Sequence, residues 1–388
     1  YPYSVSYNYT NGNANYTVSA NVNQRVYLYG GAPNGLYFLS SNILSSAASP
    51  ASTTPVWQSG ISGSPTTNVQ FVIEYYYGFV YFASLNQVYI YNGQSTAAVG
   101  AELPSTVTSI AFDNDGNIYA ATTANGVFVY DISSSTPAWA QLTDTNGYIT
   151  ASSSVIGLKG VEDADAPNVI YEITESAAYG CLNPNATTAT ESCSVATTNS
   201  PTPFFNNAFD VDSSGNLYAG GVAGSNLGIS SWNGLGLSWS AQYTNSPASL
   251  PYSGSPLPNI GGVVWTNLTG ATYLYFGLIN ESNESSVYQC IGTICSALIS
   301  NNNTGNSLTG DVNTIANDGL GNLYVAGANI SSTDWESYES SVATANAAAI
   351  LFGSSASSGA GTWTPIIPAN GNPSLLNSIA VASMLTSY

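Results

Sequence analysis

The chain has 388 residues and a formal net charge of −19 at pH 7, with two cations, Arg25 and Lys159, against 21 acids and no histidine. Two cations cannot neutralise a run of phosphates, which argues against nucleic acid or an anionic membrane surface as partner. At 44% hydrophobic and 12% aromatic residues, the composition supplies a packed core and excludes a disordered chain.

Residues 1–23 alternate apolar and polar side chains at Tyr3, Val5, Tyr7 and Tyr9, then at Tyr16, Val18 and Ala20. That period reads as an extended arm, either packed on the domain or paired with the sheet edge of a neighbouring subunit. Residues 24–61 then hold three strands, at 26–29, 35–39 and 56–58, with no apolar strand ahead of them. Fuller units follow at 66–104, 105–145, 151–203, 204–251, 257–305 and 308–367. The clearest is STVTSIAFDNDGNIYAATTANGVFVYDISSSTPAWAQL, from Ser105 to Leu142. Aliphatic and aromatic residues fill its strands and Gly, Asn and Asp fill its turns, as hairpins require. The turn Asp113-Asn114-Asp115-Gly116-Asn117 recurs as Asp212-Ser213-Ser214-Gly215-Asn216 and as Asp318-Gly319-Leu320-Gly321-Asn322. Recurrence favours a structural turn whose carboxylate bonds turn amides over a calcium loop. Residues 375–382 match the first strand of the 105–145 unit, with nothing after them.

The strand missing at the start is thus supplied at the end, within residues 372–384. This is how a circular array removes its open edge. We therefore expect an all-β, seven-bladed β-propeller over 24–388, closed by pairing the C-terminal strand with the N-terminal blade and preceded by an extended arm. The stretch VTSIAFDNDGNIYAATTANGVFVYD resembles the blades of extracytoplasmic sensor-type and NHL-type propellers. The match is good at 105–142, 204–243 and 308–352 and loose elsewhere. Such a resemblance implies a blade, and a fold of this kind serves scaffolds, sensors, adhesins and enzymes alike.

Four cysteines form two local pairs, Cys181/Cys193 and Cys290/Cys295, each at the junction of a third and a fourth strand. No histidine is present and neither pair has the spacing of a zinc knuckle, so hairpin disulfides are expected and no metal. Disulfides imply an oxidising compartment. Sequons at Asn8, Asn15, Asn185, Asn267, Asn280, Asn283, Asn302 and Asn329 fit a secreted glycoprotein. No signal peptide precedes Tyr1-Pro2-Tyr3, which reads as a processed start, and no apolar run is long enough to span a bilayer. Sparse cations and hydroxyl- or amide-based solubility suit an acidic exterior, where carboxylates lose their charge below pH ~4. In this the composition resembles surface proteins of acidophilic archaea; an adhesin of neutral habitat is the alternative.

Catalytic readings lack their residues. Without histidine there is no Ser-His-Asp triad and no imidazole ligand. Carboxylate chemistry alone survives, with Glu74, Glu162, Asp163, Asp165, Glu172 and Glu175 as candidates for a glycosidase pair. The run Glu162-Asp163-Ala164-Asp165 reads as a solvated loop, with calcium binding as its rival. Tyr75, Tyr76 and Tyr77 form the densest aromatic cluster and are the candidate sugar platform. Trp57, Trp139, Trp239 and Trp363 recur at fourth-strand positions and are read as packing between blades. The expected role is a non-enzymatic, cofactor-free structural or adhesive protein of the cell surface, meeting other surface proteins, copies of itself or glycans. A glycan-binding module and a carboxylate-only glycoside hydrolase are the alternatives.

Overall fold

The computed structural model describes residues 2–11, 14–39, 56–57, 61, 63–75, 79–161, 168–196, 204, 208–223, 226–233, 238–245, 259–268, 271–279, 287–291, 294–297, 308–317, 323–332, 348–352, 362–368 and 377–387. The regular structure among them is all strand, gathered into seven sheets. Within each sheet the main strands run antiparallel in chain order. The third sheet is representative: Val107–Phe112, Ile118–Thr122, Val127–Tyr130 and Trp139–Gln141. Its first two strands are almost wholly buried, whereas Trp139–Gln141 is half exposed. A strand buried on both faces needs an apolar run, which Ile118–Ala121 and Ile110–Phe112 supply, while the hydroxyls of Thr108 and Ser109 bond backbone on the fourth sheet's side.

The first sheet is assembled from both ends of the chain. Ser378–Ser387 pairs antiparallel with Val22–Gly31, which lies inside the long strand Ala14–Ala32. On the opposite edge of that long strand lie two partners in line: Pro2–Asn11 against its first half and Gly35–Leu39 against its last. Residues 2–11 and 14–21 therefore continue as a hairpin past the end of the C-terminal strand. Among the described residues, no strand pairs with the outer edge of either arm of that hairpin.

The first strands of successive sheets lie against one another. Ser378–Ser387 touches Val69–Tyr75, which touches Val107–Phe112, and the contacts pass on through Gly157–Gly160, Phe209–Val211, Asn259–Leu268 and Leu308–Asn317. The last of these also touches Ser378–Ser387. Apolar clusters fill the space between neighbouring sheets: Tyr29, Leu36 and Ala380 meet Val69 and Phe82 between the first and second. Ala111, Tyr119 and Val129 meet Leu158 and Ile170 between the third and fourth. Val169, Tyr171 and Ile173 meet Phe209, Leu217 and Trp232 between the fourth and fifth.

Two strands lie differently from the sequence reading. Val56–Trp57 joins the seventh sheet, running parallel to Thr362–Pro368 through Ile367↔Val56 and Pro368↔Trp57. The apolar pattern identifies a strand but not its partner, and here the partner is the outermost strand of another unit. Similarly, Thr143–Asp144 leaves the third sheet to run parallel with Thr190–Val195 of the fourth. The tryptophan reading is borne out where side chains are described. Trp139 Nε1 donates to the Val99 carbonyl of the second sheet at 2.9 Å. Trp239 packs with Phe204 and Trp232 in the cluster between the fourth and fifth sheets.

Inner strands of adjacent sheets approach so closely that side chains there must be absent. A Cβ on Gly160 would run into the Phe112 carbonyl oxygen of the third sheet, and one on Gly261 into the Val312 carbonyl of the seventh. Backbone cannot retreat as a flexible side chain would, so overpacking is felt directly. Gly160→Ala should lower unfolding free energy by about 1–3 kcal/mol; chemical denaturation followed by tryptophan fluorescence measures it.

Candidate functional site

At the ends of four consecutive inner strands lies a cavity of about 320 Å³. Ile73, Phe112, Lys159 and Gly160 line one part of it and Asp210–Ser213 the other. It opens on the face that carries the Asp-x-x-Gly-Asn turns.

Those turns are rigid because one carboxylate organises each. Asp113 Oδ1 accepts the Asp115 and Asn117 amides at 3.0 and 2.8 Å, and its Oδ2 accepts Asn117 Nδ2 and the Tyr119 hydroxyl at 2.9 Å each. Asp212 repeats the set with Ser214, Asn216 and Tyr218. Gly116 and Gly215 hold φ of +83° at the corner, where a Cβ is strained. Both carboxylates thus bond turn amides, as the recurrence implied. Burial and the Asp113 charge push the Tyr119 hydroxyl far above its ordinary range, so it stays a donor. Residues 318–322, the third copy, lie outside the described residues.

Inside the cavity, Lys159 Nζ donates to Asp210 Oδ1 at 3.0 Å. The other oxygen, Oδ2, accepts the Trp265 amide of the sixth sheet at 2.8 Å. Lys159 comes from Gly157–Gly160 and Asp210 from Phe209–Val211, so the pair ties three inner strands together. Among the described residues this is the one ion pair. Sequence reasoning noted Lys159 as a scarce cation but did not single out Asp210. The signal was available, since Asp210 sits two positions before the turn carboxylate Asp212, on the strand.

Two of the sequence-predicted carboxylates are described with their side chains, Glu172 and Glu175, and neither lines this cavity. Glu172 is fully buried in Val169–Ile173, and Glu175 is exposed in the turn after it. Glu162, Asp163 and Asp165 lie outside the described residues, as do Tyr76 and Tyr77 and the side chains of Glu74 and Tyr75. Of the sequons, Asn185 is described with its side chain: it is exposed and its Oδ1 accepts the Thr188 amide at 3.0 Å. The side chains of Asn8, Asn15, Asn267, Asn280, Asn283, Asn302 and Asn329 lie outside the description. Both disulfides are present, Cys181–Cys193 and Cys290–Cys295, with Cα separations of 3.9 and 4.0 Å. Each joins directly facing residues of an antiparallel pair.

No protein-family model matches this sequence, and no curated protein matches it. Solved structures share its architecture. A protein from Lactobacillus plantarum aligns over 93% of this chain and 100% of its own, with a TM-score of 0.60 at 12% identity. The extracellular domain of a hybrid two-component system from B. thetaiotaomicron aligns over 83% of this chain, with a TM-score of 0.50 at 14% identity. A chain of the mitotic checkpoint complex aligns over 82% of this chain and 89% of its own, with a TM-score of 0.51 at 14% identity. The fold is that of a β-propeller. The likeness speaks for the fold alone at these identities, and this chain spans 38% of the B. thetaiotaomicron extracellular domain.

Lys159 and Asp210 sit at the propeller's inner strands, with the lysine about a third exposed. Solvent screening therefore discounts the pair. Lys159→Met should cost about 1 kcal/mol, read by chemical denaturation, and raising salt should narrow the gap to wild type.

Proposed function

We propose that this propeller is a non-enzymatic structural or adhesive module of an extracellular surface, built as one closed ring of seven blades that joins other copies through its N-terminal hairpin. The observation that carries the reading is the hairpin of residues 2–11 and 14–21. Its outer edges have no described partner, and residues 1–24 contain no charged side chain. Sheet proteins that remain single blunt such edges with lysine, proline or bulges. A long uncharged edge instead offers backbone donors and acceptors to a strand from elsewhere, the chemistry of strand addition. Successive contacts of the inner strands, returning from Leu308–Asn317 to Ser378–Ser387, support the closed ring.

An oxidising exterior is supported by the two disulfides and by an extracellular domain among the structural neighbours. Non-enzymatic use is supported by the cavity, where the carboxylate and the cation are consumed by each other and by the Trp265 amide. Surface copies of the same protein are the partners this chemistry fits best, with exposed Asn185 a site for an attached glycan.

Removing residues 1–21 leaves every pairing of Val22–Gly31 with the C-terminal strand in place. Full-length protein should form ordered assemblies under negative-stain electron microscopy, while the truncated protein stays a folded monomer by light scattering. Identical assemblies from both, or a strictly monomeric full-length chain at high concentration, would remove the hairpin as connector.

A further inference from the structure

The fourth sheet holds a second cluster that neither the cavity nor the hairpin uses. Glu172, Glu191, Cys181 and Cys193 all point to one face, with one carboxyl oxygen of each glutamate and both sulfurs within 4.8 Å of one another. Register explains the meeting. Ile170, Cys181 and Cys193 are directly opposed across three strands. On the same face Glu172 lies two residues after Ile170 and Glu191 two before Cys193, so the two carboxyls flank the cysteine pair from opposite ends and reach toward each other over it. That face packs against the third sheet, through Ile170 and Leu158 beside Tyr119 and Val129.

Glu172 is 0% exposed and Glu191 4%. None of their four oxygens reaches a donor of the surrounding protein, so the hydrogen-bonding neighbour of each carboxyl is the other. The group beside them is another acid. Asp144 pairs in register with Glu191, and its carboxylate accepts the amides of Asn146, Tyr148, Ile149 and Cys193. Tyr179 faces the cluster from the neighbouring strand, Tyr148 from the loop and Tyr119, bonded to Asp113, from the third sheet. Lys159 is opposite Tyr171 in register and so faces the other way, to Asp210. With both sulfurs joined in a disulfide, the cluster offers a cation two carboxylates, well short of the six to eight oxygens calcium takes.

We propose that Glu172 and Glu191 form a proton-holding carboxyl pair that fastens the fourth sheet in acid and loosens it as the medium turns neutral. Two adjacent buried carboxylates without a cation cannot both ionise. A proton held between them converts mutual repulsion into a hydrogen bond. Burial, then the Glu191 charge and Asp144, holds the Glu172 carboxyl well above the ordinary carboxylate range. Burial pushes Glu191 up to about 7, with Glu172 opposing and Asp144 adding to the rise. Raised values mean the folded state keeps protons that the unfolded chain gives up. The contribution is whole below the ordinary glutamate value of 4.5 and is lost as pH climbs through about 7.

The disulfide beneath the pair supplies a local readout, with Cys290–Cys295 as internal control. Reduction by a water-soluble phosphine should favour Cys181–Cys193 over Cys290–Cys295 several-fold more at pH 8 than at pH 5. In the E172Q/E191Q variant, neutral at every pH, that ratio should stay level, and its melting temperature should fall less than wild type's between pH 5 and pH 8. A wild-type ratio independent of pH would overturn the proposal. So would a variant whose melting profile tracks wild type across the range. If the double variant does not fold, E191Q alone and the wild-type reduction ratio still decide it.

Discussion

One antiparallel pairing constrains everything else: Ser378–Ser387 against Val22–Gly31. Without it the first sheet would lack an inner strand, and Leu308–Asn317 would face no strand from the first sheet. Its partners come from the two ends of the sequence, so the pairing forms only after the intervening chain has been gathered. Such non-local contacts are slow to make, because loop-closure entropy is spent before they reward it. Once made, the pairing gives the first sheet an inner strand from the far end of the chain.

The sheets hold to one another by a small set of recurring devices. Ser378 Oγ accepts the Val72 amide at 3.3 Å and donates to its carbonyl, linking the first sheet to the second. Ser109 Oγ does the same with Leu158, at 3.0 Å for the amide, linking the third to the fourth. Both serines open the same tripeptide, Ser-Ile-Ala, on an inner strand. Neighbouring inner strands lie in different sheets and cannot exchange ladder bonds, so a hydroxyl bridges backbone groups that burial would otherwise leave unpaired. Asp210 makes a comparable link with Trp265, adding Lys159 as counter-charge. Apolar clusters between the sheets supply the rest of the adhesion. A chain with so few cations can afford its acids only where amides, hydroxyls or protons satisfy them, and Asp113, Asp144 and Asp212 all follow that rule.

Much of the fold was legible in the sequence because it is written in local chemistry. The Asp-x-x-Gly-Asn turns, the buried runs around Ile110 and Tyr119 and the hairpin cysteines each depend on residues close in the chain. Partner choice was less legible. Val56–Trp57 has a strand's composition, but which open edge it meets is decided by where the seventh sheet places Thr362–Pro368. The Glu172–Glu191 meeting was hidden for the same reason. Glu172 was picked out as an acid, but its neighbour lies two strands away on a shared face, visible only once the register is known. Lys159 and Asp210 likewise come from different sheets, where a single sequence carries no sign of contact.

The most direct measurement of the central pairing is a cross-link between the chain's two ends. Val26 and Ser383 face each other in the register, whereas Val26 and Ser378 do not. Cysteines placed at Val26 and Ser383 should oxidise to an intrachain disulfide, seen by peptide mapping of the monomer, and the Val26/Ser378 pair should not. Cross-links found only between molecules, or equal cross-linking from both designs, would contradict the account.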